Sequence, residues 1–193
     1  MTPIKEIGEC LITVGEDEYF FRPSFAAMSR IGEPQEIVQA FYDLHNDEVT
    51  PLLQRAMDAY GIIPAWVIAH VSRREIGKPA IMAAMGVLAA CCERDMSRII
   101  GEIIPGKSGK WTFVYRKGVM PLSDMILIAQ SLITHGIIGK AKIRQLQRNE
   151  SNKATTEFNA FEYISAARAH LGMSREEAEQ LTMTEFQLML AAK

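Results

Sequence analysis

No run of about 18 apolar residues occurs anywhere in this chain, so a membrane-crossing helix is not expected. The start of the sequence carries Glu6, Gly8 and Glu9 where an export signal needs a basic opening and an apolar centre, so secretion is not expected either. Cysteine is scarce, at three residues, and Cys10, Cys91 and Cys92 have neither metal-ligand spacing nor the pattern of a disulfide framework. A reducing cytoplasm suits such a chain. Charge of one sign is also missing: 21 basic residues face 23 acidic ones, a net of −2 that exerts no general pull on nucleic acid or anionic lipid. Internal repeats and low-complexity tracts are absent. What is present is an ordinary globular composition, 48% hydrophobic and 23% charged, in 193 residues. That is enough for one good core, or for one domain and an appendage.

The pattern of elements is mainly α with a small N-terminal β-hairpin and an α-helical C-terminal segment. Residues 7–14 are strand-like, Gly15, Glu16 and Asp17 supply turn chemistry, and Tyr19, Phe20 and Phe21 have strand propensity. Pro23 stops the second strand, and Ser24 is placed to cap a short helix ending at Gly32. Apolar spacing predicts further helices through Ile37, Val38, Phe41 and Leu44, through Leu53, Ala56 and Tyr60, and over 64–76, which Gly77-Lys78-Pro79 interrupts. Residues 80–100 read as one helix of small and apolar residues at the centre of the fold, and 111–115 as another strand. Pro121 opens a helix with Leu122, Met125, Ile126, Ala129 and Leu132 on one face, and Gly136 is expected to end it. A basic helix follows over 139–151, then a polar hinge over 149–155. The expected division is therefore a domain over 1–150 and a C-terminal helical segment over 155–193. In that segment Phe158, Phe161, Ile164, Ala167 and Leu171 are expected to line one helix side, and Gly172 to end it. Ser174 with Glu177 and Thr182 with Glu185 spell capping boxes, in which a hydroxyl and a carboxylate satisfy orphan backbone donors.

Little in the chain suggests chemistry. Residues 101–108 match the spelling of a phosphate-binding P-loop, but that motif works only between a strand and a helix, where backbone amides converge on phosphate. Here the approach reads as helical and the exit as a strand, so a turn is the better reading. His45, His70, His135 and His170 are at least 25 residues apart and make no ligand cluster. No cofactor, no metal and no catalytic residue is expected. Lys140, Arg144 and Arg148 recur every fourth residue and form one column on a helix, with Lys142 beside it. A small nucleic-acid-binding regulator using that column is the alternative reading, and a solvated face is the simpler one, because no aromatic residues interleave with it. A helix-turn-helix over 61–75 is disfavoured by the apolar Trp66, Val67, Ile68 and Val71 where base-reading side chains belong.

The aromatic and methionine content points instead to protein binding. Consecutive Tyr19, Phe20 and Phe21 must fall on both faces of a hairpin, which then needs another body to cover it. Eleven methionines add adaptable apolar contact. Two stretches carry a family resemblance. The first is Tyr19-Phe20-Phe21-Arg22-Pro23-Ser24-Phe25-Ala26-Ala27-Met28-Ser29-Arg30-Ile31-Gly32. The second is Glu157-Phe158-Asn159-Ala160-Phe161-Glu162-Tyr163-Ile164 with Leu171-Gly172-Met173-Ser174 and Thr182-Met183-Thr184-Glu185-Phe186. Gly118-Val119-Met120-Pro121 and His135-Gly136-Ile137-Ile138-Gly139 add to it, the whole covering under half of the chain. In these stretches the chain resembles the tail assembly chaperones of long-tailed bacteriophages and prophages.

The resemblance implies a non-catalytic role: binding the apolar helical tape-measure protein, keeping it from aggregating, and helping to recruit tail tube protein before leaving. It implies action in the host bacterial cytoplasm, absence from the mature virion and possible self-association; from the composition no membrane partner is expected, and nucleic acid is the less favoured partner. Tyr19 and Phe21 of the hairpin, with Phe158, Phe161 and Tyr163 of the C-terminal segment, are the expected partner-binding residues.

Overall fold

A computed structural model describes residues 2–45, 49–67, 77–105, 113–116, 118–141 and 156–192. The chain is mainly α-helical, with an antiparallel hairpin near its start as the sequence predicts. Strands β1 (Cys10–Val14) and β2 (Asp17–Phe21) pair in the register Cys10↔Phe21 to Val14↔Asp17. Helices α1 (Phe25–Ile31), α2 (Pro34–His45), α3 (Val49–Tyr60), α4 (Gly77–Cys91) and α5 (Ser97–Ile100) follow. A second antiparallel pair, β3 (Glu102–Pro105) with β4 (Phe113–Arg116), precedes α6 (Leu122–Ile133). The chain ends with α7 (Ala160–Leu171), α8 (Arg175–Glu179) and α9 (Met183–Ala191).

Local chemistry explains the starts of these helices. Ser24 Oγ accepts from the Ala27 N–H at 3.0 Å, Ser174 Oγ from the Glu177 N–H at 3.2 Å, and Thr182 Oγ1 from the Glu185 N–H at 3.1 Å. Gly172, at φ 65°, ends α7 in the left-handed conformation favoured at helix stops.

Several elements differ from expectation: β3 forms where the sequence reads as a turn, and Gly77-Lys78-Pro79, read as a break, opens α4. The apolar tract over 80–100 is two helices, α4 and α5, because the chain turns out of helix at 92–96, where Asp95 takes the N–H of Ser97 at 3.0 Å. Gly136 does not end its helix. The chain continues as a π turn over Thr134–Ile138, and Gly136 lies where a β-carbon would come within 2.5 Å of the Met28 sulfur. A missing side chain serves close packing here, and sequence alone reads the same residue as a stop. Residues 139–141 are not helical, and the remainder of the expected basic helix lies outside the described residues.

The chain packs as two compact units whose boundaries do not follow chain order. One comprises Met1–Gln39, Ala90–Glu93 and Ser131–Lys193; the other comprises Ala40–Ala89 and Arg94–Gln130. The expected boundary at 149–155 lies outside the described residues, but the segment beyond it belongs to the unit that holds the hairpin. In that first unit, the bridge Ser24↔Thr182 and the bond from Phe25 N–H to the Leu181 carbonyl at 2.9 Å tie the hairpin exit to the loop before α9. The Phe158 N–H likewise donates to the Pro34 carbonyl at 2.9 Å.

In the second unit the buried side chains include Leu53 and Ala56 of α3, Ile81, Ala84, Val87 and Leu88 of α4, and Met125 and Ile126 of α6. Gln130 Nε2 donates to the Leu44 carbonyl at 2.7 Å and ties α6 to the end of α2. The opposite face of α4 exposes Pro79, Met82, Gly86 and Ala89. A β-carbon on Gly86 would meet nothing within 4 Å, and its φ is not positive. Gly86→Ala is therefore expected to raise stability by about 0.5–1 kcal/mol, by removing backbone entropy from the unfolded chain. Urea unfolding measures it; a loss of stability would mean that something already occupies that face.

Candidate functional site

Beginning with the aromatic residues singled out by the sequence, the first unit brings four rings together. Tyr163 stacks on Phe158 at 5.1 Å and on Phe25 at 5.7 Å, and Phe186 meets Phe25 and Tyr163 edge-on at 5.8 and 6.1 Å. These are the offset and edge-to-face arrangements that ring quadrupoles prefer. Phe25 and Phe186, which the sequence reading did not single out, are thus at the centre of the cluster. On β2, alternation turns Tyr19 and Phe21 to the same face, and both are buried, Phe21 completely. Of the five expected partner-binding residues, Tyr19, Phe21 and Phe158 are therefore interior, Tyr163 is half-buried within the ring cluster, and only Phe161, 60% exposed, presents a free ring.

The expectation of an exposed aromatic surface made by all five is corrected: the chain packs most of these rings within its own first unit. Phe161 departs for a local reason. Asn159 Oδ1 accepts from the Phe161 N–H at 3.2 Å and starts α7 at residue 160. At about 100° per residue, this sets Phe161 well to the side of the buried line Ala160, Ile164 and Ala167.

Two polar clusters hold the same unit. The Arg22 guanidinium bonds Glu9 with one nitrogen, Glu185 Oε1 at 2.9 Å with another, and the Gln180 carbonyl at 2.6 Å through Nε. Glu9 is buried and its second oxygen accepts from the Ile4 N–H at 3.1 Å. Burial raises the Glu185 carboxyl above its ordinary value, opposed by Arg22 and reinforced by Glu9. Nearby in sequence, Thr184 Oγ1 contacts His135 Nδ1 at 2.7 Å and accepts from the Lys140 N–H at 3.0 Å. Burial, with Lys140 adding to it, pushes His135 below its ordinary value, so the ring stays neutral near pH 7. These are satisfied structural contacts. The Cys91 thiol, pushed up to about 12 by burial against the pull of Arg30, is protonated and inert as a nucleophile.

The second unit leaves some of its apolar side chains open. A cleft of about 140 Å³ runs between α3 and α6, lined by Leu53, Gln54, Met57, Ser123, Asp124, Ile126 and Leu127. Leu127 is 56% exposed and Met57 39% exposed. One helical turn beyond Met57, Tyr60 continues the same side of α3 and meets Trp66 edge-on at 6.4 Å. Tyr60, Ile62 and Trp66 are each at least 60% exposed. Single exposed apolar residues mean little, but a cleft continued by an exposed Tyr–Trp pair has the composition of a protein-binding surface. Sequence reasoning missed it because Leu53 and Ile126 read as core-facing positions, and Met57 and Leu127 fall outside the expected apolar faces. The signal available was the large apolar side chain of Trp66, which the structure leaves 64% exposed.

Other motifs end plainly. The segment with P-loop spelling is approached from α5 and continues into β3, which pairs with β4 as a hairpin, so no strand-to-helix turn forms among the described residues. Among the described residues no group of three or more His, Cys, Asp or Glu could hold a metal ion, and no helix is long and apolar enough to cross a membrane. Lys140 is exposed; Lys142, Arg144, Arg148 and residues 68–76 lie outside the described residues.

Fold and surface together define a mainly helical protein with a closed aromatic core in one unit and an open apolar cleft in the other. The chain belongs to a family of unknown function (DUF6246), whose model matches residues 21–193. No curated protein and no solved structure matches it.

Proposed function

We propose that this protein is a non-catalytic tail assembly chaperone that binds and shields a phage tape-measure protein, and through it helps recruit tail tube subunits in the host cytoplasm. The observation that carries the reading is the exposed apolar surface of the second unit, Met57, Leu127, Tyr60 and Trp66, joined to the sequence resemblance of the hairpin–α1 and α7–α9 stretches. An unassembled tape-measure helix exposes long apolar stripes, and a partner with an apolar cleft lowers their contact with water. The surface we propose is formed by α3 and α6 and includes none of the five aromatic residues first singled out. Co-expression with a phage tape-measure protein tests the reading. The soluble yield of that protein is expected to rise, and the two are expected to co-purify. An unchanged yield, with both proteins folded, would rule the proposal out.

A further inference from the structure

Leu53, Met57, Ile126 and Leu127 give the α3–α6 cleft an apolar floor, and polar side chains flank it. Asp58, whose Oδ1 accepts from Gln54 Nε2 at 3.0 Å, stands on the α3 side, one turn beyond Gln54. Asp124, in the first turn of α6, lines the other side and is exposed. Among the described residues neither carboxylate forms an ion pair. Asp124 gains from the positive end of its helix, and Asp58 keeps one hydrogen bond, so both are stable where they stand. Together they give the cleft an acidic edge on each side of an apolar floor.

From this we infer that the cleft takes an amphipathic helix with an apolar stripe one residue wide and basic residues on both flanks. The reading rests on the chaperone proposal and specifies the chemistry of its partner. The apolar stripe, repeating at three and four residues, would insert between Met57 and Leu127 and run on toward Tyr60 and Trp66. Lysine or arginine on one flank meets Asp58, and on the other meets Asp124. Opposite charges at the rim of an interface set register and partner choice more than raw affinity. An acidic-flanked helix would bring like charges together on both edges and is disfavoured there. The same edges disfavour an anionic lipid surface.

Two synthetic helical peptides with one leucine stripe, flanked by lysine in one and by glutamate in the other, test this by fluorescence anisotropy against the full-length protein. The lysine-flanked peptide is expected to bind at least about tenfold more tightly, a difference of about 1.4 kcal/mol. The D58N/D124N double variant is expected to lose most of that preference while still binding, and added salt to erode it. Leu127→Glu, at an exposed position, is expected to abolish binding of the lysine peptide with the circular dichroism spectrum unchanged, whereas Phe161→Ala, in the other unit, leaves binding intact. Equal binding of the two peptides, no binding, or binding indifferent to L127E would overturn the proposal. So would a dimer that L127E dissociates, because a second copy would then be the occupant. If the wild type and L127E rescue the tape-measure protein equally, the cleft is wrong and the chaperone reading stands. If the peptides behave as expected and no tape-measure protein is rescued, the cleft stands and the tail-assembly reading falls.

Discussion

Replacing Phe25 by alanine is expected to cost about 3–5 kcal/mol, the range for deleting a fully buried ring that its neighbours cannot collapse to fill. Phe25 is completely buried, stacked on Tyr163 from α7 and edge-on to Phe186 from α9. Helix α1 meets two elements more than 120 residues away at this one ring, so the cavity is bounded by side chains already committed to other contacts. Natural domains hold together by only about 5–15 kcal/mol, so the loss takes a large share of the total. Urea unfolding gives the magnitude, and amide hydrogen exchange shows where it falls: residues in α7 and α9 are expected to lose protection first. Phe161→Ala is the control, because its ring is exposed and its removal is expected to change stability by less than about 0.5 kcal/mol. Equal effects from the two substitutions would mean that the four-ring cluster does not exist in solution.

Arg22→Ala is expected to cost about 2–4 kcal/mol at neutral pH, somewhat under the figure for breaking a fully buried pair. The discount reflects exposure: the Arg22 and Glu185 side chains keep about a quarter of their surface in water. Most of the cost comes from what is left behind, a buried Glu9 and a part-buried Glu185 with no cation between them. The pH dependence follows from the sign of the Glu185 shift. Its folded value already lies above the ordinary one, so its contribution to stability is fully present below about pH 4.5 and is lost as pH rises through the folded value. Without Arg22 the remaining pull toward ionisation is gone and the folded value rises further. The penalty of R22A is therefore expected to shrink as pH falls from neutral, because Glu185 without Arg22 takes up its proton more readily. Arg22→Lys keeps the charge but loses the fork that reaches three acceptors at once, so an intermediate loss is expected. A penalty for R22A that stays constant as pH falls would show that the carboxylates do not depend on Arg22.

Much of the secondary structure was legible because its causes are local. Ser24, Ser174 and Thr182 cap the helices they precede, and Gly172 ends α7, through bonds spanning three or four residues. The carboxylate half of the second capping box was not: Glu185, read as reaching back to its own helix start, reaches Arg22 instead, 163 residues away in sequence. Gly136 was misread for a related reason. A glycine that ends a helix and a glycine that admits the Met28 side chain look alike until the neighbour is known. Of the candidate site, the apolar character of Leu53, Met57, Ile126 and Leu127 was visible, but not that α3 and α6 leave a gap between them.

The sequence by itself determined the mainly helical class, the hairpin and the places where most helices begin. Those properties follow from backbone hydrogen bonding and side-chain period within a few residues. The tertiary structure alone decided which greasy residues face water. It buried Tyr19, Phe21 and Phe158, turned Phe161 outward, and left the α3–α6 cleft open. The physical reason is that burial is non-directional and scales with area removed from water, so any apolar face can cover any other, and the pairing is settled only when the whole chain packs.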